Sequence, residues 1–306
     1  MNLTSKLLQS VLLIFCFCSS LLSQNIIKDK PKPGEEVILM YVEERENNYY
    51  IEPIAIIKNK RVNTPPSLSN GEYYSDEAKR FIFNYFQYGN SFFKSYSGNS
   101  EKVVTVNENI NTYAKASLYI CSCPVFAKVK FVDSKSKTQI GNSIFTNSMY
   151  LSKKKSARSL PDASTKKIAL DLFKEYYQSK NGIDKSELFE ISNLYSVSYS
   201  PSQKNILVGK FTVTQKGVDL RKDVALIIEY VHGKYKISYS KDLYTYYESG
   251  ASWGNSAFNF IDAVDFDDDG QNELIFFDSG GESNSYIIGK KNSSGWTWIT
   301  GADKGC

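Results

Sequence analysis

Two stretches in the second half of the chain decide its fold class: residues 205–213, NILVGKFTV, and residues 224–231, VALIIEYV. Each is short and rich in β-branched and aromatic residues, and the second is followed by His232-Gly233 and a further run, KYKISYS at 234–240. Runs of this composition bounded by turn residues are typical of β-strands. We therefore predict antiparallel strands here, with His232-Gly233 as a hairpin turn.

The same pattern continues towards both ends of the chain. In the C-terminal part it returns in FNFIDAV (258–264), ELIFFD (273–278), SYIIGK (285–290) and WTWIT (296–300). Near the start, EEVILMYVEE (35–44) and NNYYIEPIAIIKN (47–59) predict a hairpin. Two segments differ, because they carry helix start and stop signals: residues 75–89, where Ser75 is a good N-cap, and residues 165–182, which end at Gly182.

These patterns predict a β-rich α+β fold with two domains, each an antiparallel β meander with one helix. The domains would span residues 24–150 and 164–306, joined by a linker at 151–163 that reads LSKKKSARSLPDA. The linker is basic, serine-rich and interrupted by a proline, which favours a solvated connector. We expect no alignable internal repeat and no complete β-propeller.

Residues 1–23 have the pattern of a secretory signal peptide. Lys6 precedes the apolar run VLLIFCFC, and small residues follow it. The run is too short to span a bilayer, and Phe15 and Phe17 stand where a lipoprotein signal needs small residues. The sequence therefore predicts a secreted or periplasmic protein without a lipid anchor or a transmembrane segment.

Charge and histidine content exclude several classes of function. The 306 residues carry a formal charge of only +4, and no basic–aromatic pattern for nucleic acid is present. Since His232 is the only histidine, a Ser-His-Asp triad would have to use it, and a multi-histidine zinc site is excluded.

Removal of the signal peptide would leave three cysteines: Cys121, Cys123 and Cys306. An odd number in an oxidising compartment allows at most one internal disulfide and a spare thiol. Cys121 and Cys123 lie two residues apart in a strand-like segment, so both side chains would point to one face. Two alternatives remain: a disulfide from one of them to Cys306, or three free thiols.

The strongest chemical motif is an acidic loop between two predicted strands. Residues 265–273 read DFDDDGQNE, with Asp265, Asp267 and Asp269 at loop positions 1, 3 and 5. Gly270 at position 6 allows a sharp turn, the carbonyl of Gln271 is placed as a seventh-position ligand, and Glu273 stands at position 9. Alternating carboxylates in a tight loop suit calcium, which prefers six to eight oxygen ligands, better than magnesium.

This loop resembles the D-x-D-x-D-G-x-x-[DE] loop of integrin-type FG-GAP and VCBS repeats, over roughly residues 258–277. The resemblance implies a calcium ion (Ca2+) held by the side chains of Asp265, Asp267, Asp269 and Glu273 and by the backbone of Gln271. Two features depart from those families: only one copy is present, and the Phe-Gly-Gly-Ala-Pro element is absent. The loop is more similar to single Asp-rich loops near the C-termini of exported bacterial proteins without an assigned function.

The alternative for the loop is an acidic turn that binds no metal. The surrounding charge favours the metal, since residues 251–306 contain nine acidic residues and three lysines, a net charge of −6. We expect Asp268, at the even position, to point to solvent.

Two functions follow from these features. The first is an exported calcium-binding module without enzymatic activity that binds a surface partner or a polymer. The second is a secreted hydrolase acting on glycan or peptide, with Asp278 and Glu282 as a possible carboxylate pair. Trp296 and Trp298 would be either exposed platforms for a ligand or, as we favour, aromatic residues of the core.

Overall fold

The structure, a computed structural model, describes residues 35–68, 75–97, 101–108, 123–133, 143–155, 157–201, 203–216, 221–243, 257–280 and 283–305. The predicted signal peptide, Cys121 and Cys306 lie outside the described residues. For Cys123 the structure describes only the backbone. The disulfide alternatives therefore stay predictions.

The first half of the chain forms a closed antiparallel barrel. The strands of this half are β1 (Glu36–Arg45), β2 (Asn48–Lys58), β3 (Arg61–Asn63), β4 (Ser67–Leu68), β5 (Ser91–Lys94), β6 (Lys102–Glu108), β7 (Cys123–Pro124), β8 (Ala127–Phe131) and β9 (Ile144–Thr146). Six of them follow one another in the order β1-β9-β5-β6-β8-β2, and the pairing of β2 with β1 closes the ring. β3 extends β2 outside the ring, and β4 pairs with β7.

This order differs from the predicted meander. The β1–β2 hairpin is confirmed, with Glu46 and Asn47 at its turn. However, β1 also pairs with β9 and β2 with β8, so strands that are distant in sequence become neighbours. Alternation along a strand predicts which side chains share a face but not which strand lies beside it.

The predicted helices are confirmed, one of them with a shorter extent. α1 (Asp76–Tyr85) begins at the N-cap Ser75, whose hydroxyl accepts a hydrogen bond from Ala78 N at 3.0 Å. It ends at Tyr85 rather than near Gly89, because Gly89 N donates to the carbonyl of Val106 in the barrel. α2 (Met149–Lys153) is a single additional turn.

The second half consists of two antiparallel sheets and one long helix. The elements are β10 (Arg158–Ser159), α3 (Ala163–Asn181), β11 (Glu187–Val197), β12 (Ile206–Gln215), β13 (Arg221–Val231), β14 (Lys234–Leu243), β15 (Ala257–Val264), β16 (Glu273–Gly280), β17 (Ser283–Asn292) and β18 (Gly295–Gly305). β10 to β14 form a five-stranded sheet and β15 to β18 a four-stranded one, here called the central sheet. His232-Gly233 is the predicted turn between β13 and β14, and His232 is exposed.

The central sheet is covered on both faces. On one face Ile275 and Ile288 pack against barrel residues such as Leu39 and Ile54. On the other face Phe258 and Phe276 pack against the five-stranded sheet, together with Trp296 and Trp298. The two tryptophans are partly buried and pack against this core, and Trp298 lies edge-on to Phe258 at 5.8 Å between ring centroids.

The molecule is therefore layered, with the barrel, the central sheet, the five-stranded sheet and α3 in succession. The antiparallel, β-rich class is confirmed. The predicted linker, residues 151–163, contains the end of α2, the strand β10 and the start of α3. The division into two domains stays a prediction.

Candidate metal centre

The acidic loop joins β15 to β16 in the central sheet, as the sequence predicts. We call residues 265–273 the Asp loop. Because both flanking strands are buried on two faces, the ends of the loop are fixed by the core. Gly270 has φ +83°, which glycine adopts without strain, and Asp268 also has a positive φ of 61°.

The loop brings three carboxyl groups together. One oxygen each from Asp265, Asp267 and Asp269 lies within 4.8 Å of the other two. Two oxygens that share a calcium ion at about 2.4 Å can be at most about 4.8 Å apart, so this spacing matches a shared ion. Loop amides orient the carboxyl groups: Asp269 N donates to Asp265 Oδ1 at 3.2 Å, and Gln271 N donates to Asp269 Oδ1 at 2.8 Å.

A lysine from the neighbouring strand also reaches these carboxyl groups. Lys290 of β17 binds a carboxyl oxygen of Asp267, and its Nζ lies 3.1 Å from Asp269 Oδ2 and 3.1 Å from Glu273 Oε1. Burial alone would lower the pKa of Lys290, but the hydrogen bonds to Asp267 and Asp269 raise it above its ordinary value. The loop therefore already binds one positive charge.

A second lysine approaches from the other side. Lys154, just after α2, lies 3.3 Å from Asp265 Oδ2 and 3.4 Å from Asp268 Oδ1. Asp268 Oδ1 also accepts a hydrogen bond from Tyr150 of α2 at 2.7 Å, and this bond, followed by burial, raises the pKa of Tyr150 to about 12. The expectation that Asp268 points to solvent is therefore wrong, since its carboxyl group contacts Tyr150 and Lys154.

Glu273 lies beside the three aspartates, almost completely buried at 1% exposure. Its Oε2 accepts a hydrogen bond from Phe266 N at 3.3 Å, and its Oε1 meets Lys290 without hydrogen-bond geometry. Burial, and then the charge of Asp267, raise the pKa of Glu273 to about 8, although Lys290 acts in the opposite direction. Its role as a closing ligand stays a prediction.

Gln271 is held by Tyr199, two residues after the end of β11. Its side-chain oxygen accepts a hydrogen bond from the hydroxyl of Tyr199 at 2.6 Å, and Asn272 N donates to the Tyr199 carbonyl at 2.8 Å. The predicted ligand is the backbone carbonyl of Gln271, and that role also stays a prediction. Tyr199 is buried, and burial, followed by the charges of Glu273 and Asp269, raises its pKa.

Tyr96 also contacts the loop, since its hydroxyl donates to the Asp265 carbonyl at 3.2 Å. Sequence reasoning did not identify Lys290, Lys154, Tyr96, Tyr150 or Tyr199. Of these five residues, only Lys290 could have been placed near the loop from a sequence pattern, the register of the β16–β17 hairpin. Gly280 pairs with Ser283 across the β16–β17 hairpin, and counting back from that pair places Lys290 opposite Glu273. The other four contacts join residues more than 70 positions apart, so no local pattern could indicate them.

The carboxylate pair considered for hydrolysis cannot be assembled from the described residues, since Glu282 is not among them. Asp278 forms an ion pair with Lys241, whose Nζ lies 2.6 and 2.7 Å from its two carboxyl oxygens. To act as a catalytic acid or base, Asp278 would first have to lose its ion pair with Lys241.

Within the described part of the chain, no helix has the length and apolar character needed to cross a membrane. No protein-family model, curated protein or solved structure matches the chain significantly. The resemblance to integrin-type repeats therefore rests on the loop itself.

Proposed function

We propose that this is an exported calcium-binding protein, a binding or structural module of the cell surface or periplasm without enzymatic activity. The Asp loop binds one calcium ion through Asp265, Asp267 and Asp269, with Glu273 and the carbonyl of Gln271 completing the ligands. The observation that carries the proposal is the spacing of the three aspartate oxygens, all within 4.8 Å of one another.

The charge of the loop supports a divalent cation. Five carboxyl groups, those of Asp265, Asp267, Asp268, Asp269 and Glu273, lie within nine residues. Lys154 and Lys290 together supply two positive charges. These two lysines leave three negative charges uncompensated when all five carboxyl groups are ionised, and a calcium ion offsets two of them. Hard carboxylate oxygens are also the ligands that calcium prefers.

The lysines set a condition on binding. Lys290 contacts Asp267, Asp269 and Glu273, so a metal bound by these groups competes with its ammonium group. We therefore expect a modest affinity, with Kd about 10⁻⁴–10⁻³ M as in extracellular calcium modules.

Export is proposed from residues 1–23 alone, and the division into domains at residues 151–163 from the composition of that segment. The partner, a surface protein or a polymer, is proposed only as a class. The hydrolase alternative has no support from Asp278, whose carboxyl group is held by Lys241.

The test is thermal unfolding and isothermal calorimetry with calcium, magnesium or chelator. At calcium about 100 times Kd, we expect stabilisation of about 2.7 kcal/mol. Asp267→Asn and Asp269→Asn should abolish the response. Asp268→Asn is the matched control, since it removes the same charge from the same loop at a residue that contacts Tyr150 instead. No calcium response in the wild type, or equal losses in all three variants, would contradict the proposal.

A further inference from the structure

The Asp loop is attached at its first residue to the barrel half of the molecule. The amide of Asp265 donates to the hydroxyl of Tyr96 at 2.5 Å, and that hydroxyl donates to the carbonyl of Asp265 at 3.2 Å. Tyr96 follows β5 of the barrel, and its side chain is buried in the core that the barrel shares with the central sheet. The start of the loop is therefore fixed from the barrel side.

The end of the loop is attached to the opposite side of the central sheet. The hydroxyl of Tyr199 donates to Gln271 Oε1 at 2.6 Å, and the carbonyl of Tyr199 accepts a hydrogen bond from Asn272 N at 2.8 Å. Asn272 Nδ2 also donates to the carbonyl of Ser198 at 2.6 Å. Ser198 and Tyr199 directly follow β11, and Tyr199 is buried between the two sheets.

The proposed calcium ligands lie between these two attachments. An ion that takes an oxygen from Asp265 and another from the Gln271 carbonyl would fix the distance between the ends of the loop. Glu273 Oε1, buried beside the aspartates, has no hydrogen-bond partner among the described residues, although Lys290 Nζ lies 3.1 Å away. A cation in the loop would satisfy this oxygen.

We propose that Tyr96 and Tyr199 are positioning residues of the calcium centre, so that the bound ion ties the barrel to the five-stranded sheet. This inference rests on the proposed calcium function. Each tyrosine holds one end of the loop, and neither is itself a predicted ligand. Groups that orient metal ligands typically contribute roughly tenfold to a hundredfold to metal affinity. Because coupling between binding events is reciprocal, calcium must strengthen the contacts through which these tyrosines act.

The test measures the calcium affinity of Tyr96→Phe and Tyr199→Phe by titration followed with backbone amide NMR. We expect the calcium Kd to rise about tenfold or more in each variant, since a ligand-bearing segment loses its orienting partner. Tyr286→Phe is the matched control and should keep the wild-type Kd, because the buried hydroxyl of Tyr286 donates to Glu52 of the barrel instead.

The outcomes separate this inference from the calcium function itself. An unchanged Kd in Tyr96→Phe and Tyr199→Phe would overturn the inference and leave the calcium function standing. An equal rise in Tyr286→Phe would indicate a general loosening of the fold and would also overturn the inference. If the wild type binds no calcium, both proposals fail.

A double-mutant cycle tests the tie between the two layers. In chelator the two substitutions should have additive effects on the free energy of unfolding, because Tyr96 and Tyr199 contact different residues of the loop. In calcium the combined effect should be smaller than the sum, because loss of either attachment already releases one end of the loop. Additive effects in calcium as well would overturn the tie.

If a variant does not fold, amide hydrogen exchange of the wild type decides the question. Two amides outside the loop report on its attachments: Tyr96 N donates to the carbonyl of Leu151 in α2, and Ser198 N donates to the carbonyl of Ala157 just before β10. Calcium should slow the exchange of both amides and leave that of Gly182, at the end of α3, unchanged. Unchanged exchange at Tyr96 and Ser198 would overturn the proposal.

Discussion

The hydroxyl of Tyr96 binds both backbone groups of Asp265, although 169 residues separate them in the chain. It accepts a hydrogen bond from Asp265 N at 2.5 Å and donates to the Asp265 carbonyl at 3.2 Å. Tyr96 follows β5 of the barrel, and Asp265 opens the Asp loop of the central sheet. The first residue of the candidate metal centre is therefore positioned by the barrel.

Tyr96→Phe should lower the free energy of unfolding by about 1–3 kcal/mol. The substitution leaves the part-buried amide of Asp265 without its partner, whereas the carbonyl keeps Lys154 Nζ at 3.1 Å. An unsatisfied amide away from water costs about that amount. Urea unfolding measures the difference. Tyr88→Phe is the matched control, since Tyr88 is 73% exposed. An equal loss in both variants would show that the hydroxyl of Tyr96 has no special role.

Gly301→Ala should weaken the packing of the central sheet against the barrel. A Cβ atom at Gly301 of β18 would overlap the carbonyl oxygen of Ile54 in β2, and backbone cannot move aside as a side chain can. We expect a loss of about 1–3 kcal/mol, as for other overpacked sites, with a lower thermal midpoint. Gly280→Ala, in the same sheet, has open space at its Cβ position and should change stability much less. Similar midpoints for both variants would mean that the two sheets are not in close contact here.

Lys290→Met should have opposite effects with and without calcium. In chelator the variant should be less stable than the wild type, because Asp267, Asp269 and Glu273 lose a shared cation. When calcium is present, the metal no longer competes with the ammonium group of Lys290, so the calcium Kd should fall. A tenfold fall corresponds to about 1.4 kcal/mol of binding free energy. Calorimetry and thermal unfolding measure the two effects.

The matched control for this prediction is Lys241→Met. Lys241 also pairs with a carboxylate of the central sheet, Asp278, and among the described residues it forms no ion pair with the Asp loop. Its replacement should leave the calcium Kd unchanged. A weaker calcium affinity in Lys290→Met would mean that the lysine supports the metal site rather than competing with it.

Much of the local structure could be predicted, because it depends on neighbouring residues. The β15–β16 hairpin follows from FNFIDAV and ELIFF on either side of DFDDDG, and the three aspartates converge because alternate residues of a tight turn can face one point. The helix at 163–181 follows from apolar residues near helical spacing and from Gly182 at its end: Ile168, Leu170, Leu172, Phe173 and Tyr176. The face that it buries differs in part, since it carries Ala169, Phe173 and Tyr177.

Apart from that of Lys290, the contacts that barrel-half residues make with the site could not be predicted in the same way. The sequence indicates an excess of negative charge in the Asp loop, but it does not indicate that Lys154 lies against Asp265 or that Tyr150 binds Asp268. Those contacts depend on the position of α2 relative to the central sheet, which is set by burial of Leu151 in the core that the barrel and the central sheet share.

By itself, the sequence determined the β1–β2 hairpin, the long strands of the second half, the turn at His232-Gly233, the two main helices and the spacing of carboxylates in the Asp loop. Each of these depends on a period of two or 3.6 residues, or on a turn of a few residues. Only the tertiary structure decided that the barrel closes through β9 and β8, that the central sheet is buried on both faces, and that Tyr96 of the barrel half binds the backbone of Asp265. Hydrophobic burial drives these associations without direction, so the choice of partner depends on how whole faces fit together rather than on any local pattern.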